Sequence, residues 1–556
     1  MTPNSMTLGG VSVLKKPFSL LMSLILPALL VVGCSNSGNA PSPSPAPAAS
    51  PSSEPTATAN SKYEKELTIT VSRAILDATN VKEDLEAKML KEKFNLVFKS
   101  EDYSRNDWPT KMTLLLSTGD GPEFIPYSRD QWKSVEWMSS GYLRPFELDE
   151  IKQKLPNYLK IWTDEEWDTV YKSTRFSDGK VYFLPSKRTI PVQNAWQYRK
   201  DLFDKYGVDF PKTPDEMLAA LQTIKDKTGL IPFVSPGNTS SPLWAVSTFF
   251  QMFGFPDLVL NWNSYVDPVT NEFHAYPLAT EESREMLVFL NKMYTNGLMM
   301  KDFATATADQ TNKLIAQGNN VIMQTITDPA YNNELQQAVA PDVNWTWVEN
   351  YDHPTNNPQK TIYKKEAYYS FWGPAIKAGT SQEKVDRLLD YLNWAASEEG
   401  QMWYTFGKEG ATYEMKNGVP TYLPTMSTPT NAEGDKLPTY GINIGLIGFG
   451  GFMTLHKAFD ESFNKVKLDM SKVIPSKPNY YGPIEPIFQF SEDERKELVA
   501  LETNLNGVRD EYWLKFIIGA LDPTNDSDWE KFIKAANKAG LSEVVNLRTD
   551  AYNKAK

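Results

Sequence analysis

The side chains able to do chemistry are thinly spread. Histidine occurs only at 274, 353 and 456, too scattered for a His-rich metal site. A single cysteine, Cys34, excludes a disulfide framework and any cysteine-based zinc cluster. G-x-S-x-G, H-E-x-x-H, the Walker loop and G-x-G-x-x-G are all missing. Ser177-x-x-Lys180 and Ser381-x-x-Lys384 match S-x-x-K but lack the companion S-D-N and K-T-G motifs, so chance accounts for them. Gly441–Gly451 (GINIGLIGFGG) lacks the Lys-Ser/Thr of a phosphate cradle and reads as a flexible loop near a ligand groove. Asp522–Asp528 (DPTNDSD) has no Gly at the sixth position of a calcium loop and no Glu at the twelfth. It reads instead as the start of a helix rich in capping groups. A glycosidase needs two carboxylates about 5–10 Å apart; 69 acidic residues leave such a pair open, and no short motif points to one.

The aromatic residues are the more telling class. Fifteen Trp exceed ordinary core needs, and with 26 Tyr and 27 Phe they leave rings to line a surface. A flat ring stacks on the C–H face of a sugar, while carboxylates, amides and Arg take its hydroxyls. For any single Trp, burial in the core is the competing account. The balance of 57 basic against 69 acidic residues, net −12, argues against a polyanionic partner such as nucleic acid. At roughly 150 residues per domain, 556 residues allow three or four domains or two large ones.

The elements that must position these groups begin after an address. Lys15 and Lys16 precede an apolar run from Phe18 to Val32, and Val31-Val32-Gly33-Cys34 resembles a bacterial lipobox. Residues 1–33 are then a lipoprotein signal peptide, and Cys34 is the lipidation site and new N-terminus. An uncleaved anchor with an incidental Cys is the competing reading. Residues 34–62 form a Pro/Ser/Ala-rich tether, which at about 3.1 Å per residue reaches roughly 85 Å. Two acyl chains hold a protein stably on a bilayer.

Strand-like alternation at Leu67–Val71, a helical stripe at Val81, Leu85 and Met89, strand-like Phe94–Phe98, a helix from Pro109 to Ser117 and a strand at Glu123–Ile125 give a β-α-β-α-β start. That order predicts an α/β fold with a parallel sheet covered on both faces. Caps mark five later helices: Thr213 with Glu216, Thr280, Thr380 with Glu383, Ser491 with Glu494, and Ser527 with Glu530. Gly229, Gly297 and Gly540 stop the first, second and fifth.

At residues 179–221 a longer pattern appears, with Gly179-Lys-Val-Tyr-Phe-Leu-Pro185, Trp196-Gln-Tyr-Arg199-Lys-Asp-Leu-Phe203 and Tyr206-Gly-Val-Asp-Phe-Pro-Lys-Thr213-Pro-Asp-Glu-Met217. With Asn312–Met323, Ala395–Gly400, Phe406–Glu414, Lys515–Gly519 and Ala539–Leu541, it resembles the extracellular solute-binding proteins of carbohydrate ABC importers. The likeness is to the large Gram-positive lipoproteins of the LplA type and spans about residues 64–556. The individual motifs are loose; their order, spacing and company with a lipobox carry the resemblance. The sequence departs from it at Thr412, where many relatives carry His. Lys227-Thr228-Gly229-Leu230 leaves no room for the calcium loop of alginate-binding relatives, so no metal is carried over.

The resemblance implies a two-lobed, periplasmic-binding-protein-like α/β fold with a hinge and the ligand between the lobes. It places crossings near 184–195, 322–330 and 368–376. The expected domains are an N-lobe from 63–188 and 326–370, and a C-lobe from 189–325 and 371–556 whose C-terminal helices partly return to the N-lobe. It implies a non-enzymatic, membrane-anchored, extracellular monomer that closes on an oligosaccharide and hands it to permease subunits, with no cofactor. An extracellular polysaccharide-active enzyme, hydrolase or lyase, is the alternative. An adhesin would need repeats or a polymer-binding face that the sequence does not present. Candidate ligand contacts are Trp372 at the third crossing, Asn194 and Trp196 after the first, and Asn238, Ser240 and Trp244 in a Gly/Ser/Pro loop. Asp107 and Trp108 before a helix, and Arg73 following the first strand, complete the set.

Overall fold

A computed structural model describes residues 62–75, 85–104, 107–126, 137–176, 178–187, 195–235, 243–255, 264–325, 329–361, 369–370, 373–423, 473, 476–477 and 488–555. From residue 59 onward the chain forms one compact unit. Within it the described residues build two main hydrophobic cores, each around its own sheet.

The first lobe grows from β1 (Leu67–Ile75). Leu67, Ile69 and Val71 are buried while Thr68 and Thr70 between them are exposed, the period of two that a pleated strand imposes. β2 (Leu96–Ser104) runs parallel to β1 from Leu67↔Leu96 to Ile75↔Ser104, and β3 (Phe124–Ile125) joins the other edge in parallel. The helices Leu85–Phe94 and Trp108–Ser117 make the crossovers that parallel pairing requires. The expected β-α-β-α-β start is therefore present.

The polypeptide then crosses to the second lobe. β4 (Ser186–Lys187) ends the first stretch, and β5 (Ala195–Arg199) opens the central strand of the second sheet. The pair β6 (Ser264–Val266) and β7 (Phe273–Ala275) forms a separate hairpin, with β7 against the helix Leu541–Ala555. β8 (Ile322–Thr325) and β9 (Trp345–Trp347) flank β5 on its two sides, both antiparallel. The helices Pro214–Thr228 and Glu281–Thr295, and the 3-10 helix Trp244–Phe253, bury Met217, Leu221, Phe249, Met286 and Leu290 against this sheet.

β10 (Tyr369–Ser370) returns to pair antiparallel with β4, and β11 (Ala375–Ile376) docks antiparallel on β3. The helix Gln382–Ala395 then packs Leu388, Leu389 and Leu392 into the first core. Its Arg387 donates to the Phe94 carbonyl at 2.6 Å and lies 3.8 Å over the Tyr63 ring. The hairpin β12 (Tyr413–Lys416) and β13 (Val419–Tyr422) closes this stretch, with the Tyr422 hydroxyl on the Thr405 carbonyl.

Three C-terminal helices, Glu492–Ile517, Asp526–Lys538 and Leu541–Ala555, complete the second lobe. Trp513, Phe516, Phe532 and Val544 enter its core, and Tyr552 stacks on Phe273 at 4.2 Å. Buried Arg548 pairs with Glu502, whose carboxyl is pushed up by burial although the guanidinium opposes the shift.

Three expectations are corrected. Residues 329–361 belong to the second lobe rather than the first, because β9 supplies the missing edge of β5 and buries Trp345 and Trp347 there. Residues 373–423 belong to the first lobe rather than the second, through β11 and the helix 382–395. Among the described residues the C-terminal helices pack into the second core, not the first. The described residues thus change lobe from 187 to 195, from 361 to 369 and from 423 to 488, whereas those on both sides of 326–328 belong to the second lobe. Cap chemistry held at Thr213, Thr280 and Ser491, each accepting from the backbone N–H three residues on. It shifted at two helices. Ser381, not Thr380, precedes the helix 382–395, and Asn525, not Ser527, caps the helix 526–538.

Candidate functional site

The connecting segments are held tightly on the first-lobe side. The Leu184 N–H donates to the Pro374 carbonyl at 3.0 Å. Gly373 lies so close that a Cβ on it would stand 1.5 Å from the Leu184 carbonyl oxygen. Lys187 of β4 donates to the Ile161 carbonyl at 2.8 Å and to Glu166 at 2.6 Å. Partial burial raises the Glu166 pKa, but the Lys187 ammonium and the Thr163 N–H outweigh it and hold the carboxyl below its ordinary value.

These connections fix which ends of the two sheets face the passages. β11 begins just after Gly373, and its Ala375 pairs with Ile125 at the carboxyl end of β3. The carboxyl ends of the parallel strands in the first lobe therefore lie beside the connectors, the position at which open α/β sheets bind ligands. In the second lobe β5 starts from the first passage, and its Ala195 pairs with Thr325 at the end of β8. The edge carrying Ala195, Trp196, Gln324 and Thr325 is therefore the connector end of the second sheet.

At that edge lies a continuous polar network. The Trp196 indole N–H donates to His353 Nδ1 at 3.1 Å. Gln324, directly opposite Trp196 in the ladder, places Nε2 3.4 Å from the same Nδ1 and 2.7 Å from Gln251 Oε1. Gln324 Oε1 accepts from the Thr248 hydroxyl at 3.0 Å. Burial, aided by the nearby Lys477 ammonium, pushes the His353 pKa down to about 3, so its ring is neutral. Lys477 itself pairs with Asp352. Thr248 and Gln324 are half-buried, as is Trp244 at the start of the same 3-10 helix. A half-buried amide at the sheet edge, bonded by a hydroxyl from a 3-10 helix that also carries a partly exposed indole, offers hydrogen-bonding groups and a ring. It does not resemble a nucleophile with its base.

The candidates separate by burial. Trp108 is fully buried, donates to Ser72 Oγ at 3.2 Å and meets Trp137 edge-on at 5.7 Å, so it is a core residue. Trp196 is also fully buried, with its indole spent on His353, and supports the edge from behind. Asp107 is exposed at the start of the helix Trp108–Ser117, just beyond the carboxyl end of β2. Arg73 sits within β1, opposite Asp102, rather than after the strand. Trp244 keeps part of its surface exposed. Cys34, Asn194, Asn238, Ser240, Trp372 and the glycine-rich 441–451 stretch lie outside the described residues. Thr412 is buried in a turn, donating to the Phe406 carbonyl at 2.6 Å and accepting from the Lys408 N–H at 2.8 Å. The sequence reading missed Thr248, Gln251, Gln324 and His353. The pairing of β5 with β8 sets Gln324 opposite Trp196, and packing of the 3-10 helix and of the stretch after β9 brings Thr248, Gln251 and His353 to them. Among the described residues no cluster of His, Cys, Asp or Glu has the spacing of a metal site.

Comparison with known proteins gives this geometry its context. A family described as bacterial extracellular solute-binding protein matches residues 87–412, more than half of the chain. Lipoprotein LipO of Bacillus subtilis is 21% identical over 356 residues, 62% of this chain and 66% of that protein. The polygalacturonan/rhamnogalacturonan-binding protein YtcQ of the same organism is 21% identical over 473 residues, 80% of this chain and 83% of that protein. In structure the chain is similar to an HMO-binding, ABC-transporter-associated solute-binding protein from Bifidobacterium longum infantis. The TM-score is 0.69 at 16% identity, covering 88% of this chain and 99% of that one. The two-core α/β architecture, the paired connectors and the family match agree: this chain belongs to the bacterial extracellular solute-binding proteins, a non-enzymatic family.

Proposed function

We propose that this chain is the lipid-anchored, oligosaccharide-binding component of an ABC importer, which closes its two lobes on the sugar and delivers it unaltered to the permease. The observation that carries the reading is the arrangement at the connectors. Each sheet turns its connector end toward the passages between the lobes, and in the second lobe that end carries a partly exposed amide joined by a hydroxyl from the 3-10 helix that starts at Trp244. A ligand touching both lobes only in the closed state shifts the balance toward closure by its differential affinity. An affinity near 1 µM corresponds to about −8 kcal/mol, within reach of a ring and a few hydrogen bonds. Sugar-binding relatives such as YtcQ support the carbohydrate class, and LipO, named a lipoprotein, supports the anchor at Cys34. Asp107, Trp244 and Trp372 remain the contacts we propose from the earlier set, with Arg73, Asn194, Asn238 and Ser240 as further candidates.

The test is calorimetric titration of the purified protein with defined oligosaccharides, followed by assay of reducing ends and X-ray scattering. Saturable one-to-one binding, a smaller radius of gyration and no new reducing ends are expected. Bond cleavage, or a scattering profile unchanged at saturation, refutes the reading. For the anchor, Cys34→Ser should move the protein from the membrane fraction into the medium of a Gram-positive host. Retention at the membrane would make the apolar run an uncleaved anchor.

A further inference from the structure

The network at the connector end of the second sheet has a fixed polarity. The Trp196 indole can only donate, so His353 Nδ1 must accept and the ring proton sits on Nε2. The end of Gln324 facing that Nδ1 must then be its NH2 group, whose other hydrogen goes to Gln251 Oε1. The opposite end of Gln324 is consequently its carbonyl oxygen, an obligate acceptor, and Thr248 must spend its only hydroxyl hydrogen there. From Trp196 to Thr248 the donors of the chain are directed inward. What half-buried Thr248 and Gln324 have left to offer is oxygen lone pairs.

We propose that Thr248 and Gln324 form an acceptor-only subsite that takes a hydroxyl hydrogen from an uncharged sugar and disfavours a uronate carboxylate, with His353 as the positioning residue that sets its polarity. The proposal rests on the oligosaccharide-binding reading and adds the charge class of the ligand. A carboxylate brings only lone pairs and would meet lone pairs here while losing its water. A sugar hydroxyl brings the missing hydrogen. Lys477, the charge that acts on His353, is itself paired with Asp352. Neutral His353 is the root of the arrangement: a proton on Nδ1 would expel the Trp196 indole and reverse every bond after it.

The first test needs no ligand. In protein labelled with 15N-histidine, His353 should show an unprotonated Nδ1 and a protonated Nε2 between pH 6 and 8; a proton on Nδ1 overturns the proposal. The second uses raffinose, kestose, trigalacturonate and methyl-esterified trigalacturonate as probes. The esterified trisaccharide or another uncharged probe should bind at least about tenfold tighter than the free acid. Thr248→Val should weaken that binding by roughly tenfold with little change in melting temperature, and Thr248→Ser should restore it. Equal or tighter binding of the free acid, or unchanged affinity in Thr248→Val, overturns the subsite while leaving a sugar-binding protein. Failure of every probe to bind overturns the oligosaccharide reading and the subsite with it.

Discussion

His353 is closed off from water beside Lys477, and its ring stays neutral far below the ordinary histidine value of about 6.5. The unfolded chain takes up a proton there below pH 6.5, while the folded chain refuses it until about pH 3. Stability from this residue is therefore complete above pH 6.5 and declines as the pH falls toward 3. At pH 5 the loss is about 2 kcal/mol at 1.36 kcal/mol per pH unit. Urea denaturation at pH 7.5 and pH 5 should show that difference in the wild type and a smaller one in His353→Gln. Parallel behaviour of the two proteins would show that another group titrates. Burial also sorts the tryptophans. Trp108→Ala should cost about 3–5 kcal/mol of stability, as for a large ring removed from a packed interior. Trp244→Ala should lower sugar affinity while leaving the melting temperature nearly unchanged. If the two variants behave alike in melting, Trp244 is interior as well. Aromatic abundance suggested a sugar-binding chemistry, but a Trp in the core and a Trp at a surface look the same in one dimension, and Trp108, Trp137, Trp196 and Trp513 are interior. Trp108 and Trp196 were unreadable for that reason.

At the scale of elements, the helix starts were the legible part, because a cap is made by residues a few positions apart. Thr213, Thr280 and Ser491 each satisfy a backbone N–H that the helix leaves open. The last cap shows the limit of the rule. Asn525 accepts from the Ser527 and Asp528 N–H groups, so the helix starts earlier than Ser527 suggests. Asn525→Ala should cost about 1 kcal/mol, and Ser527→Ala only a few tenths, by chemical denaturation. The reverse order would restore Ser527 as the cap. The strands of the second sheet were not legible, since β5 is completed by β8 and β9 from more than a hundred residues away. At the connectors, Gly373→Ala would drive a methyl into the Leu184 carbonyl. Overpacking of this kind costs about 1–3 kcal/mol or more. The variant should melt lower, and its scattering change on adding sugar should be reduced; an unaltered response would remove the hinge role from this contact.

For the whole molecule, the α/β class and the family were readable, because motif order survives where individual motifs are loose. The partition of the chain between lobes was not. Residues 329–361 and 373–423 exchanged places relative to expectation, because membership is decided by which open sheet edge a short strand completes. Two-residue strands such as β4, β10 and β11 carry no period that a sequence could reveal.

The interleaving has a kinetic side. β11 and the helix 382–395 reach the first lobe some 250 residues after β3, and the second lobe waits for the helices 492–555. A polypeptide threaded outward from its amino terminus thus has neither half finished when residue 361 emerges. Such distant pairings slow folding and leave apolar edges open in the meantime. A fragment ending at 361 should therefore be degraded rather than accumulate as a stable half, as a pulse-chase of the two lengths would show.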